Sequence, residues 1–240
     1  MNRLFKRAGF TVVRRSHPGA RYLDHIPLNA FDSVLLREFT SLRGLRFIQV
    51  GANDGRRADP IHDLVIRHSW TGLLLEPLPA NFRELRKTYA GRPGLTLLNA
   101  ALDDKTGTRP IFSLAPSLVG RVPDWAWGLS SFDAARVRQA ASELGLGSDA
   151  VVSEPIATVT WTEVWSRMPD GKCDLLVLDT EGFDVALLRT ADLGQHRPRV
   201  IHFEHACVSS AERVAFYCEL LDLGYELATD GPDTTALLRA

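Results

Sequence analysis

Two glycines and an asparagine follow an apolar run in FIQVGANDG, residues 47–55, and a second apolar run, LLLEP at 73–77, ends in a glutamate. Glycine takes positive φ without a Cβ clash and asparagine is among the few other residues that tolerate it. Gly51, Asn53 and Gly55 therefore allow a tight strand-to-helix turn whose main chain can lie close to a ligand. At the end of the next strand Glu76, about twenty-five residues after Gly51, can accept hydrogen bonds from both vicinal hydroxyls of a ribose. Order and spacing together point to an adenosine-containing ligand.

The details of the turn narrow the choice. A dinucleotide fingerprint reads G-x-G-x-x-G with a helix N-terminus facing the pyrophosphate. Here Asn53 takes the middle glycine position and Asp54 adds an anion where phosphates would lie. No G-x-x-x-x-G-K-[ST] occurs in the chain, which excludes a P-loop. S-adenosylmethionine carries a ribose but no phosphate, so it fits a turn that includes an acid.

Two further segments carry chemistry. LLVLDTEGFD, residues 175–184, places Asp179 and Glu181 two apart, on one face if the chain stays extended. Two carboxylates that close raise one pKa or recruit a cation such as Mg²⁺. The other reading is a solvated strand end with a capping acid. IHFEH, residues 201–205, puts His202 and Glu204 on one face and Phe203 and His205 on the other. His205 has an intrinsic pKa near neutrality and can take a proton from a substrate hydroxyl, with Glu204 orienting it or contacting substrate. A purely structural role for His205 stays open beside this.

These residues need a scaffold, and the rest of the chain supplies one. Near-continuous Val/Ile/Leu runs predict strands at 46–50, 71–76, 95–99, 174–179, 199–204, 223–228 and 234–239, as expected for strands covered on both faces. Helical patterns lie at about 28–41, 60–69, 79–90, 161–168, 182–190 and 209–222, with Pro60 and Pro79 at plausible starts. The alternation is α/β, a doubly wound, Rossmann-like sheet of seven mostly parallel strands. The last two strands are too close for a helical crossover and must form an antiparallel hairpin, an arrangement usual for class I methyltransferases. Residues 1–44 are read as an extension with a helix, and 45–240 as one domain.

Between the third and fourth strands the alternation breaks. Ile111 to Leu114 and Val151 to Thr160 are predicted strands and Phe132 to Leu144 a helix, an insertion over about 108–160 placed above the carboxyl ends of the sheet. It is expected to act as a substrate lid. Trp125, Trp127 and Phe132 flank Gly128-Leu129-Ser130-Ser131, so aromatic surface and the Ser130 and Ser131 hydroxyls can meet a polar acceptor such as a sugar; equally, the aromatics can fill a small core of their own.

Composition bounds the partners. The 240 residues are 45% hydrophobic and 24% charged, enough for a full core, and the formal net charge of −1 argues against a nucleic-acid surface. Three cysteines without a C-x-x-C pair suit a reducing, cytoplasmic compartment. Arg3, Lys6, Arg7, Arg14, Arg15 and Arg21 precede the first acid and alternate with apolar residues, in runs too short for a signal peptide or a membrane span. That segment is read as a solvated lead-in, with a weak peripheral membrane tether as its alternative. Self-association into a homo-oligomer is left open.

The succession FIQVGANDG, LLLEP, NAALDDKTG, GLSSF, LLVLDTEGFD and IHFEH resembles the FkbM-type methyltransferases over about residues 45–230. The resemblance implies a class I, S-adenosylmethionine-dependent enzyme that methylates hydroxyl oxygens of sugars, glycolipids or natural products. It implies that Gly51, Asn53 and Gly55 lie against the methionine and ribose, that Glu76 holds the ribose hydroxyls, and that Leu102 with Asp103 or Asp104 lies near the adenine. Asp179 and Glu181 match the acidic pair of the active site. Gln49 departs from the family, which usually has Asp there; Gln accepts a hydrogen bond but brings no charge to the cofactor's ammonium, and weaker cofactor binding, or compensation by Asp54, is the expectation. Two rival classes are weighed against this reading. A metal-dependent hydrolase would leave Gly51, Gly55 and Glu76 without a task, and a non-catalytic binding module would keep the pocket only as scaffold.

Overall fold

The structure, a computed structural model, describes residues 29–118, 120–123, 126 and 128–239. The basic N-terminal segment, Trp125 and Trp127 lie outside the described residues. The first element is α1 (Ala30–Glu38), whose start is fixed by the Asn29 side chain accepting the Asp32 N–H at 2.8 Å. Seven strands then build the main sheet: β1 (Arg46–Val50), β2 (Thr71–Leu75), β3 (Leu95–Leu98), β8 (Leu175–Leu178), β9 (Val200–Glu204), β10 (Tyr225–Asp230) and β11 (Asp233–Leu238). Their order across the sheet is β10-β11-β9-β8-β1-β2-β3. The contacts from β3 through β9 are parallel, while β11 runs antiparallel to both β9 and β10. The expected terminal hairpin is therefore present, closed by Gly231 and Pro232 between the paired Asp230 and Asp233.

The strands are apolar along their whole length because both faces are covered. Phe47, Leu74, Leu175, Val177 and Val200 pack on one side with Phe31 and Leu35 of α1, Leu64 and Val65 of α2 (His62–His68) and Leu85 of α3 (Pro79–Thr88). Ile48, Val50, Leu176, Leu178, Ile201 and Phe203 pack on the other with Trp161 and Trp165 of α5 (Trp161–Ser166), Leu188 of α6 (Asp184–Arg189) and Phe216 and Leu220 of α8 (Ser210–Asp222). The alternation within β1 is the period-two pleat: Phe47 faces one core, Ile48 and Val50 the other. Each fully buried Leu or Ile of this kind contributes about 1.5–3 kcal/mol.

The chain runs β1 to β2 to β3 toward one edge and β8 to β9 toward the other. β1 and β8 are thus neighbours whose outgoing loops diverge, which opens a crevice at their carboxyl ends.

The segment between β3 and β8 adds a second, four-stranded sheet, ordered β4-β7-β5-β6. It holds β4 (Ala101–Leu102), β5 (Gly107–Leu114), β6 (Ser130–Ser131) and β7 (Val151–Val159), with α4 (Ala134–Glu143) between β6 and β7. The long antiparallel pair β5–β7 carries it. Leu114, Leu118, Leu129, Val137 and Ala141 form a small core beneath α4. The sequence shows β5, β7 and α4 but not β4 or β6, which at two residues each are too short to carry a period. It also misses α7 (Leu193–His196), a single turn flanked by left-handed Asp192 and Arg197 (φ 50° and 44°). Among the described residues no helix is long and apolar enough to cross a membrane.

Candidate active site

The crevice between β1 and β8 deepens into a cavity of about 790 Å³, within the range of about 300–1,000 Å³ usual for small-molecule sites. Its walls come from the loops after β1, β2 and β8, the start of the second sheet, the end of β9 and the β10–β11 turn.

Gly51 sits where the two diverging loops meet. It has φ +85°, and a Cβ built on it would lie 1.8 Å from the Asp179 carbonyl oxygen. The glycine is therefore needed by the packing of β1 against β8 as well as by the turn. Asn53 follows in the left-handed region, φ 48°, with its Oδ1 buried and without a hydrogen-bond partner. Gly55 stands back from the cavity; its missing side chain makes room for Leu85 and Tyr89.

Glu76 closes this end. Only 4% exposed, its carboxylate accepts the Asn53 N–H at 2.9 Å through Oε2 and the Leu78 N–H at 2.9 Å through Oε1. Asn99 ties the same corner by donating to the Glu76 and Pro77 carbonyls. Burial raises the Glu76 pKa to about 7 against the pull of those two N–H groups. The Asn81 amide lies against the same carboxylate, and since a carboxylate has about four lone-pair sites, it retains capacity for a further donor. Leu102, Asp103 and Asp104 line the cavity beyond Glu76, with Asp103 held by Arg109 at 3.0 Å and Arg109 lying 4.0 Å above the Phe132 ring.

Gln49 and Asp59 form the floor beneath the turn. Gln49 is 3% exposed and its Oε1 has no hydrogen-bond partner. Asp59 caps the start of α2, its Oδ1 accepting the Ile61 and His62 N–H groups at 2.8 and 3.0 Å, while its Oδ2 is buried and unpartnered. Burial raises the Asp59 pKa, opposed by the Ile61 N–H and then by the adjacent Gln49 amide. Asp54 does not take this place. It accepts the Arg56 and Arg57 N–H groups, pairs with the Arg57 side chain at 3.2 Å and stays out of the lining, so compensation for Gln49 does not come from it.

The opposite end of the cavity is acidic. Asp179, Glu181, Glu204 and Asp233 all face it. The chain does not stay extended through Asp179 and Glu181, as their sharing one strand face would require: β8 stops at Leu178, Glu181 has φ 55° and Gly182 φ 98°, although both residues still line the cavity. This turn swings the Glu181 carboxylate to Arg136 of α4, 3.3 Å away, and the Arg136 guanidinium also donates to Cys207. Any side chain at 182 would meet Arg136 and Cys207 at about 3 Å. Asp179 opens onto the cavity yet is walled by protein; desolvation and then repulsion from Glu181, Asp184, Glu204 and Asp233 raise its pKa well above the usual carboxylate range. Glu204 is raised to about 7, first by burial and then by Glu181 and Asp184, and its Oε2 is buried without a partner. Among the described residues no three His, Cys, Asp or Glu side chains converge to hold a metal ion.

The two histidines of IHFEH separate as the pleat requires. His202 lines the cavity, with its Nδ1 3.0 Å from the Thr235 hydroxyl and its ring 4.4 Å from that of Phe31; burial lowers its pKa to about 4. His205 lies outside the lining, where its Nδ1 meets the Thr234 hydroxyl at 2.9 Å and its ring abuts Tyr217. Ser130 and Ser131 reach the cavity from β6. Residues that sequence reasoning missed are Asp59, Phe183, Arg109 and Asp233. Of these only Asp59 has a local signal, an Asp-Pro pair at a helix start.

The chain and its fold match known proteins. The methyltransferase FkbM domain profile matches residues 49–227, and the chain belongs to that family. Among solved structures it is similar to the methyltransferase FkbM from Methylobacillus flagellatus KT, at 13% identity and TM-score 0.50, covering 81% of this chain and 43% of that one. It is also similar to a METTL16 methyltransferase domain (10% identity, TM-score 0.45, 87% of this chain and 65% of that one) and to the Methanococcus jannaschii fibrillarin pre-rRNA processing protein (9%, 0.42, 88% and 74%). The chain thus spans less than half the length of the FkbM structure it matches. No curated protein matches it.

Proposed function

We propose that this chain is an S-adenosylmethionine-dependent methyltransferase that methylates a hydroxyl oxygen of a small-molecule or saccharide acceptor. The observation that carries the reading is Glu76: its carboxylate is clamped by the Asn53 and Leu78 N–H groups at the wall of the crevice, with acceptor capacity left for the hydroxyls of a ribose. The residues present fit the cofactor. Glu76 is the ribose acceptor, Leu102 with Asp103 and Asp104 borders the place for the base, and the orphaned acceptors of Gln49 and Asp59 lie beneath the turn.

Bound there, the cofactor supplies an electrophilic sulfonium methyl. The protein's work is then orientation, exclusion of water and handling of one proton. The carboxylates of Asp179, Glu204 and Asp233 accept hydrogen bonds from acceptor hydroxyls and hold the reacting oxygen. Glu204 is the general base: it faces the cavity with an unpartnered Oε2, and a pKa near 7 matches proton removal at neutral pH. Arg136 draws Glu181 aside and stabilises the turn after β8. The same acidic lining repels phosphodiesters, which sets nucleic acid apart from the acceptors considered.

Calorimetric titration with S-adenosylmethionine, followed by transfer of a labelled methyl group to a panel of saccharide and polyol acceptors, tests this. Failure to bind the cofactor at micromolar levels ends the reading. Binding without transfer to any hydroxyl removes only the acceptor class.

A further inference from the structure

A buried polar atom without a partner is costly, about 1–3 kcal/mol, so two of them on adjacent residues that line one cavity call for a ligand group. Gln49 Oε1 and Asp59 Oδ2 are such a pair: both are inaccessible to solvent, both are unpartnered, and both residues line the cavity. The Gln49 amide lies against the Asp59 carboxylate, which suits its nitrogen facing that carboxylate and its oxygen left for an N–H donor. The second Asp59 oxygen is occupied by the first N–H groups of α2, so the carboxylate cannot turn away. Two acceptors carrying one negative charge match a group with several N–H donors and one positive charge.

Resting on the function proposed above, we infer that Gln49 and Asp59 together hold the α-ammonium of the cofactor's methionine. The loop residue Asp59 supplies the charge that the strand residue Gln49 lacks. Asp54 is engaged with Arg57, and Asp179 is surrounded by other carboxylates on the acceptor side. Glu76 is assigned to the ribose and Asp103 and Asp104 to the base, which leaves Asp59 as the acid for the amino-acid end of the cofactor.

Calorimetry with three probes tests the assignment: S-adenosylhomocysteine, its analogue in which the amine is replaced by hydrogen, and 5′-methylthioadenosine, which lacks the amino acid altogether. On the wild-type protein the deaminated analogue is expected to bind at least tenfold more weakly than S-adenosylhomocysteine. Asp59→Asn keeps an oxygen to cap α2, so the fold is expected to survive. This variant should weaken S-adenosylhomocysteine about 10- to 100-fold and change 5′-methylthioadenosine less than twofold. Equal affinity of the wild type for the first two probes overturns the assignment, and so does an equal loss of all probes in Asp59→Asn. Should the variant fail to fold, the wild-type comparison decides alone. If the wild type binds none of the three, the cofactor reading itself fails; if it binds all three equally, only the ammonium site does.

Discussion

Gly51 and Asp179 touch across the junction of β1 and β8: the Gly51 Cα faces the Asp179 carbonyl so closely that a methyl group there would sit 1.8 Å from its oxygen. Gly51→Ala must therefore push the two loops apart and also hold an L-residue at φ +85°. The backbone conformation costs about 1–2 kcal/mol and the overlap about 1–3 kcal/mol more. Urea denaturation should show a loss of that size, with cofactor affinity falling in parallel because the cavity wall moves.

Glu76 links stability and binding to pH in opposite directions. Its pKa is about 7 in the fold against an ordinary 4.5 for a solvated glutamate, so between those values the folded state keeps a proton the unfolded chain has released. Stability of the ligand-free protein from this group is complete below about pH 4.5 and lost as pH rises through about 7, a change on the order of 3 kcal/mol. Cofactor binding needs the ionised form and should strengthen over the same range. In Glu76→Gln the binding dependence should vanish and affinity fall about 10- to 100-fold; a variant that binds as the wild type does would falsify the ribose assignment.

The base assignment separates Glu204 from His205. Glu204→Gln should lower kcat by about 10²–10⁴ with little change in cofactor Kd, and should remove the limb of the pH–rate profile near 7. His205→Ala should keep turnover within a few-fold, since the ring faces Thr234 and Tyr217 instead of the cavity. Its effect should appear as about 0.5–1.5 kcal/mol of lost stability from one hydrogen bond, because the Thr234 hydroxyl keeps Tyr217 as a partner. The reverse outcome would return the proton to the histidine.

Arg136 occupies the Glu181 carboxylate that a cation would otherwise need. Exhaustive chelation is accordingly expected to leave methyl transfer within twofold of its untreated rate. Arg136→Met, which frees Glu181, should raise the repulsion among Glu181, Asp179 and Glu204. The apparent pKa of the rate profile should then move upward.

Much of the scaffold is legible in the chain because covering a sheet on both faces forces continuous apolar runs; each of the seven main strands lies within a few residues of its expected place. Glu76 is legible for the same reason, since it ends such a run. What escapes is set by turns and by distant partners. The carboxylate of Glu181 is turned aside by positive φ at 181 and 182, and nothing in a period-two reading foresees Arg136 arriving from an insertion forty-five residues earlier. Asp59 looks like an ordinary helix cap until Gln49 is seen beside it. Asp233 reaches the cavity only because β11 slots between β9 and β10.

That slotting divides the labour of the molecule. On the proposed function, the walls toward the adenosyl donor derive from residues 49–104 and those toward the acceptor largely from 177–233 with β5 and β6, and the Gly51–Asp179 junction is their seam. Substitutions in the later half are then expected to retune which acceptor is taken while the donor half is inherited intact. A lineage built this way can diversify its chemistry of modification by redecorating one wall.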